Sequence, residues 1–125
     1  MFPQEDIPDT CKLYYRIHKT NIVNNNIIPG AFKERGTGDK KGMSTDWGKY
    51  SIPIQTRNRA EKPKLNGVIN FVVEKLRRIE LEVIHWPKED NQSHTNVRGI
   101  DKAKNRIRLE LLGLYNWEID CKFRC

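Results

Sequence analysis

Apolar and polar side chains alternate over residues 11–19. The apolar positions are Leu13, Tyr15 and Ile17, and the polar positions around them are Lys12, Tyr14, Arg16 and His18. Successive side chains of an extended chain point to opposite faces, so this alternation predicts a strand with one buried and one exposed face. The aromatic and β-branched residues in the segment favour the same structure.

Three more segments predict strands in the second half of the chain. They are residues 66–73 (NGVINFVV), 81–86 (LEVIHW) and 94–99 (HTNVRG), each rich in β-branched or aromatic residues and close to turn residues. Short helices are predicted over residues 51–62, with Pro53 in the first turn, and over residues 73–80.

The segment 101–119 is ambiguous, because RIRLEL within it alternates as a strand would. Five of its apolar residues nevertheless fall within one sector of a helical wheel, and we predict a C-terminal helix. Those residues are Ala103, Ile107, Leu111, Leu114 and Tyr115.

Residues 33–50 show little periodicity, and glycines at positions 36, 38, 42 and 48 predict a long loop. A loop of this length in a compact domain usually has a function or is mobile. We predict that residues 1–10 form an irregular N-terminal segment, the lead-in. The whole pattern favours one α+β domain over residues 11–125, a small mixed β-sheet with short helices and a C-terminal helix packed on it.

The chain of 125 residues carries 23 basic and 16 acidic side chains, a net charge of +7. A basic domain suits a polyanionic partner, which it would bind chiefly through phosphates. No apolar run is long enough for a membrane helix and no signal-peptide core is present, so we expect a cytoplasmic protein without membrane contact. The odd number of cysteines (Cys11, Cys121 and Cys125) favours free thiols over a disulfide framework or a zinc site.

Two basic segments predict where phosphates of a nucleic acid or a nucleotide would bind. One is the Gly/Lys loop, whose candidate ligands are Lys33, Lys40 and Lys41, although GTGDKKGMST lacks the residue order of a Walker loop. The other is residues 98–108, whose candidates are Arg98, Lys102 and Arg106. A solvated loop and a solvated helix face are the alternatives. No cofactor is predicted.

Four residues are candidates for catalysis: His94, Ser44, Asp46 and Arg16. His94 begins a predicted strand beside a turn, where a side chain can meet a substrate. A pairing with Asp90 would orient its ring for acid–base chemistry. Ser44 lacks the G-x-S-x-G pattern of many hydrolases. A metal held by His85, Asp90 and His94 matches no known ligand spacing, and we predict no metal site.

Several short motifs follow one another in order: LYYRI, GAF, GMSTDW, GVINF and LEVIHWPKEDNQSHTNV. In this order they resemble a set of small prokaryotic proteins of unknown function, over most of residues 13–117. The resemblance implies which positions bear the pattern, and it implies no activity. Those positions are Arg16, Phe32, Ser44, Asp46 and His94.

Three functions are compatible with these patterns. The first is binding of nucleic acid or a nucleotide through the Gly/Lys loop and a basic C-terminal helix. The alternative is a metal-independent nuclease or phosphotransferase that uses His94 with Arg16, Lys33 or Ser44. A further alternative is a protein-interaction module or a subunit of a larger assembly, with Trp47, Trp86 and Trp117 as interface anchors. The patterns do not decide whether the protein is an enzyme.

Overall fold

The computed structural model describes residues 1–120. Its main sheet consists of β1 (Lys12–His18), β4 (Met43–Trp47), β5 (Asn66–Val72), β6 (Glu82–His85), β7 (His94–Arg98) and β8 (Asn116–Ile119), and β2 (Ile22–Val23) and β3 (Asn26–Ile27) form a separate hairpin. The α-helices are α1 (Pro53–Asn58), α2 (Val73–Arg78) and α3 (Lys104–Leu111). The strands of the main sheet run antiparallel in the order β6-β7-β4-β1-β5-β8. The predicted α+β class, with short helices and a C-terminal helix beside a sheet, is confirmed.

One face of the main sheet carries the hydrophobic core. Residues directly opposite each other in antiparallel strands point to the same face, and the register aligns Leu13 of β1 with Trp47 of β4 and Phe71 of β5. All three side chains are buried. The helices α2 and α3 pack on this side, adding Val73, Leu76, Ile107 and Leu111 to the same cluster. The apolar face predicted for β1 is therefore the core face.

The opposite face of the sheet is polar. The same register places Tyr14 of β1, Asp46 of β4 and His94 of β7 in one row across three strands. Ser44 and Asn96 are paired in the neighbouring row. Part of this face lies under α1, where Arg16 donates to the Thr56 carbonyl, and Ser44 is exposed on it. Polar groups from three strands are thereby held close together on a rigid support.

The loop prediction for residues 33–50 is wrong at Met43–Trp47, because these residues form β4 in the middle of the sheet. Met43 and Trp47 are buried on the core face, and Ser44 and Asp46 lie between them in alternation. The period of two was therefore present in GMSTDW. Backbone pairing to β1 and β7 on both sides stabilises a strand whose glycine-rich and lysine-rich flanks resemble a loop.

The predicted C-terminal helix is confirmed over Lys104–Leu111, but its extension to residue 119 is wrong. The chain turns after α3 and forms β8, which pairs with β5 and aligns Trp117 with Ile69. A strand is favoured there because β5 would otherwise leave its backbone N–H and C=O groups unpaired at that edge. The alternation of Trp117 and Ile119 is the local signal for this strand.

Residues 1–10 contain no helix or strand, yet they are attached to the domain at several points. Ile7 is buried in the core. The backbone N–H of Glu5 donates to His85 Nδ1 at 2.9 Å, and the Glu5 carboxylate accepts hydrogen bonds from Lys49 and Tyr50. The lead-in is therefore packed against the strands. The division into a lead-in and a single domain stays a prediction.

The part of the chain that the structure describes contains no helix that is long and apolar enough to cross a membrane. Cys11 is a free thiol, while Cys121 and Cys125 lie outside the described residues. The cytoplasmic location stays a prediction.

Candidate functional site

The main sheet splits between β1 and β4. These strands are in register at Leu13–Trp47 and Tyr14–Asp46, and within residues 1–120 no β1–β4 register pair follows, although β1 stays paired with β5 as far as His18. The split opens on the polar face as a cleft of ≈ 690 Å³, a volume typical of small-ligand sites. Its polar lining includes Arg16, His18, Lys33, Arg35, Ser44, Asp46, Arg59, Lys88, Asp90, Asn91 and His94.

All four predicted catalytic residues line this cleft. Arg16 comes from β1, Ser44 and Asp46 from β4, and His94 from β7. In an antiparallel pair, two residues after Tyr14 face two residues before Asp46, so Arg16 and Ser44 stand on opposite sides of the split. The structure brings the four together, and their chemical roles stay predictions.

Ser44 and His94 form a hydroxyl–imidazole pair on the floor of the cleft. Ser44 Oγ lies 2.8 Å from His94 Nε2, and His94 Nδ1 lies 2.8 Å from the carbonyl oxygen of Trp86. A carbonyl can only accept, so Nδ1 carries the ring proton and donates it to Trp86. In the neutral ring, Nε2 then has a free lone pair and accepts the Ser44 hydroxyl proton. His94 is buried, whereas Ser44 is exposed to the cleft.

Burial lowers the pKa of His94 below its usual value. The hydrogen bond to Trp86 and the negative charge of Asp46 act in the opposite direction, and Lys88 and His85 reinforce the lowering. The neutral, proton-accepting ring is therefore favoured at pH 7. The predicted pairing with Asp90 is wrong, because the two ring nitrogens bond to Ser44 and Trp86 instead.

The Asp46 carboxylate accepts hydrogen bonds from Arg59, just after α1, and from Asn91, in the 88–91 turn. Arg59 Nη1 donates to Oδ2 at 2.7 Å, and Asn91 Nδ2 donates to Oδ1 at 2.8 Å. Arg59 also donates to Ser51 Oγ at 2.9 Å. With both oxygens engaged, the buried Asp46 carboxylate has a fixed position in the same row as His94. The arrangement is suited to stabilising positive charge on that ring without binding it directly.

The cleft has a surplus of positive charge. Its lining contains five Lys and Arg residues and two Asp residues. Arg59 is paired with Asp46, and Arg16 Nη1 donates to the Thr56 carbonyl at 3.1 Å. No ion pair is present for the remaining cations within residues 1–120; these are Lys33, Arg35 and Lys88. An anionic ligand would meet cations with no competing carboxylate bound to them.

The predicted phosphate ligands are divided by the structure. Lys33 lines the cleft, while Lys41, Arg98 and Lys102 line a second, shallower groove of ≈ 270 Å³ together with Asp101. Lys41 forms an ion pair with Asp101 at 2.7 Å, and Arg98 donates to backbone carbonyl oxygens, including that of Lys41 at 2.6 Å. These contacts bind the 38–41 segment to the end of β7.

The two other predicted phosphate ligands lie apart from the cleft lining. Lys40 ends a 3-10 turn and is exposed. Arg106 is on α3, where it pairs with Glu110 at 3.1 Å. The Gly/Lys loop and the basic segment thus meet only in the groove of ≈ 270 Å³, through Lys41, Arg98 and Lys102. Lys33 alone among the six predicted ligands joins the candidate catalytic residues.

The other two histidines have different surroundings. His85 is buried, accepts at Nδ1 from the Glu5 N–H and donates from Nε2 to the Gln92 carbonyl at 2.8 Å. Both of its ring nitrogens are therefore hydrogen-bonded within the fold. His18 lies at the cleft and accepts at Nδ1 from the Thr20 N–H at 3.1 Å. No cluster of three or more His, Cys, Asp or Glu side chains that could hold a metal occurs among residues 1–120.

The predicted interface anchors are only partly exposed. Trp47 is buried in the core, and Trp86 and Trp117 are half-buried. Trp117 packs against the core cluster. The protein-interaction function stays a prediction.

Sequence reasoning named Arg59 only as an extension of the basic segment, and it did not place Arg59, Asn91, Arg35 or Lys88 in this site. Asn91 lies in the KEDNQS turn that precedes His94, and Arg59 lies just beyond α1. The motif HWPKEDNQSH was a local signal for Asn91. Arg59 carried no such signal, because its position beside Asp46 depends on where α1 crosses the polar face.

Comparison of the chain with protein-family models, with curated proteins and with solved structures finds no match. The resemblance to small prokaryotic proteins stays a prediction. The functional assignment rests on the geometry of the cleft.

Proposed function

We propose that this protein binds a phosphate-bearing ligand, a nucleotide or the backbone of a nucleic acid, in the cleft between β1 and β4. The observation that carries the proposal is the charge of the cleft, where five cations face two carboxylates. Three of those cations make no ion pair within residues 1–120. Phosphate oxygens are the natural partners of such groups, since Lys and Arg side chains neutralise their charge and donate hydrogen bonds to them.

The shape of the cleft supports the same ligand class. The volume of ≈ 690 Å³ is enough for a nucleotide, and the opening lies between two strands, so an extended backbone can pass through it. Tyr14 and His18 line it and offer aromatic surfaces for a base. The ligand would lie on the polar face, with phosphate beside Lys33, Arg35 and Arg16.

Binding of a fluorescent single-stranded RNA oligonucleotide, measured by anisotropy, tests this function. We expect binding at about 50 mM salt that weakens steeply by about 200 mM, because each phosphate contact releases counterions. ATP and inorganic phosphate as competitors distinguish a nucleotide or phosphate site from a nucleic-acid groove. Absence of binding by RNA, ATP and phosphate at the lower salt concentration would contradict the proposal.

A second candidate function is metal-independent phosphoryl or phosphodiester transfer. The specific observation in its favour is His94, a neutral imidazole whose Nε2 accepts a hydroxyl proton inside a cationic cleft. A base in this state takes a proton from an attacking hydroxyl, while nearby cations stabilise the negative charge on the phosphoryl oxygens.

Turnover of RNA and of ribonucleotides in the presence of a chelator tests the second candidate. We expect His94→Gln to lower the rate by about 100-fold or more, the usual contribution of a general base. Thermal unfolding of the variant shows whether it is folded. Undiminished turnover in a folded His94→Gln protein would exclude His94 as the base.

A further inference from the structure

We propose that Ser44 is a nucleophile that becomes covalently bonded to the phosphorus of an ester ligand in the cleft. The proposal rests on the proposed phosphate-ligand function and assigns a chemical step to the same site. Three features carry it: the exposure of Ser44, the hydrogen bond from its hydroxyl to His94 Nε2, and the cations across the split.

The Ser44–His94 pair has the relationship of a nucleophile and its base. The Oγ–Nε2 distance of 2.8 Å is within hydrogen-bond reach. Ser44 is the exposed member of the pair, and His94 is buried. The base is in turn oriented by a third group, the carbonyl oxygen of Trp86, which holds Nδ1 in its protonated form. In many serine hydrolases a carboxylate has this role.

The negative charge that a carboxylate provides in those hydrolases comes here from Asp46, which does not bond to the ring. The carboxylate of Asp46 is one register row from Ser44 and directly opposite His94 across the β4–β7 pairing. Arg59 and Asn91 hold its two oxygens, so it cannot rotate onto the ring. It remains close enough to favour the imidazolium that forms when His94 takes the proton.

The reaction has two halves. Ser44 Oγ bonds to phosphorus as its proton moves to His94 Nε2, and the bond between phosphorus and the leaving oxygen breaks with that oxygen taking the proton from Nε2. In the second half, Nε2 takes a proton from water, the hydroxide bonds to phosphorus, and Ser44 Oγ leaves and recovers the proton. Arg16, which stands across the split from Ser44, and Lys33 would neutralise the charge on the phosphoryl oxygens.

A second hydroxyl–imidazole pair provides an internal comparison. Thr20 Oγ1 lies 2.9 Å from His18 Nδ1, but His18 Nδ1 also accepts from the Thr20 backbone N–H, and the pair is on the exposed 3-10 turn after β1. It has no third group that orients the ring among the described contacts. Thr20 is therefore the matched hydroxyl that we expect to be unreactive.

Labelling with an alkyl fluorophosphonate tests the proposal without knowledge of the ligand. This reagent phosphonylates activated serines with loss of fluoride, and peptide mass spectrometry locates the adduct. We expect one adduct per chain, on Ser44, in the native protein and none in urea. We expect Ser44→Ala to abolish it, Thr20→Ala to leave it unchanged, and His94→Gln to slow it by about 100-fold.

The pH dependence of labelling in the unmodified protein keeps the test valid if His94→Gln does not fold. The rate should fall as the pH drops and His94 is protonated, with Asp46, Lys88 and His85 as the charged or titratable neighbours that set the midpoint. Absence of an adduct on Ser44, or labelling of Ser51, Ser93 and Thr20 to an equal extent, would overturn the proposal.

Oligonucleotide binding, measured in the native protein and in Ser44→Ala alongside phosphonylation, separates this proposal from the proposed function. Binding without phosphonylation of the native protein would leave a phosphate site whose Ser44 is only a ligand contact, and the nucleophile assignment would be wrong. Phosphonylation of Ser44 without any binding of RNA, ATP or phosphate would support the nucleophile and contradict the phosphate ligand.

Discussion

The cleft and the basic segment 98–108 both concentrate Lys and Arg, but the fold uses their charges differently. In the basic segment, Arg98 and Arg108 donate to the carbonyls of Lys41 and Phe32, and Arg106 pairs with Glu110. Of the three candidates there, only Lys102 makes no side-chain ion pair or hydrogen bond within residues 1–120. In the cleft, several cations make no ion pair within residues 1–120 and face open volume. Density of charge along the chain is therefore a weak guide to a ligand site. The useful criterion is whether the structure already satisfies the charges.

Charge reversal gives the largest expected effect and tests the comparison directly. Lys33→Glu combined with Arg35→Glu should weaken oligonucleotide binding by about 100-fold at low salt, because two phosphate contacts become repulsive. The matched control is Lys102→Glu combined with Arg106→Glu, which makes the same change of net charge and should cost less than about tenfold. Equal losses in the two double variants would mean that the basic segment contributes as much as the cleft.

Removal of the buried carboxylate gives the next effect. Asp46→Ala should lower the free energy of unfolding by about 2 kcal/mol, since Arg59 and Asn91 lose their acceptor. Asp90→Ala, at an exposed residue of the same cleft, should cost less than about 0.5 kcal/mol. Chemical denaturation measures both. Similar values for the two variants would show that Asp46 is not the fixed anchor of the site.

A smaller effect tests the structural use of arginine in the basic segment. Arg108→Ala should destabilise the protein by about 1 kcal/mol, because the 2.8 Å bond to the Phe32 carbonyl and the packing of its aliphatic stem are lost. Arg106→Ala removes an exposed ion pair on a different face of α3 and should cost no more than about 0.5 kcal/mol. Urea unfolding of both variants measures the difference, which should vanish if Arg108 is only a solvated charge.

The dependence of stability on pH gives the smallest effect and tests the burial of His94 in the cleft. The pKa of His94 is lowered in the folded state, so the unfolded chain binds more protons at mildly acidic pH. This stability is present above the unfolded pKa of about 6.5 and is lost as the pH falls towards the folded pKa. His94→Gln should flatten the profile.

Local patterns predicted most of the secondary structure and five of the polar residues that line the cleft. The alternation around Leu13 and Ile17, the segment ending in His85 and the strand that begins at His94 are all confirmed as strands. Helix α2 begins at Val73, as the sequence predicts, and helix α1 (Pro53–Asn58) lies within the predicted range 51–62. These elements were predictable because their apolar periodicity and their turn residues agree with each other.

The two wrong predictions of secondary structure share one physical cause. The strands β4 and β8 are short, and each depends on partners that are distant in the chain: β4 pairs with β1 and β7, and β8 pairs with β5. Local propensity at Ser44 and at Trp117 is not strong enough to show a strand by itself. Pairing to distant strands decided both segments, and such pairing overrides local preference.

The sequence by itself determined which side chains of each strand lie on the polar face. Strict alternation puts Arg16 on the face opposite Leu13 and Ile17, and once a strand is assigned it does the same for Ser44, Asp46 and His94. The order of residues along each strand therefore determines which of its polar side chains are available to the site.

Only the tertiary structure decided which of these residues meet. Arg16, Ser44 and His94 come from strands whose neighbours are set by burial of a common core, and no local signal specifies that order. The cleft itself exists because β1 leaves β4 after Tyr14 while it stays paired with β5. That separation turns a polar sheet face into a cationic cavity with Ser44 and His94 on its floor.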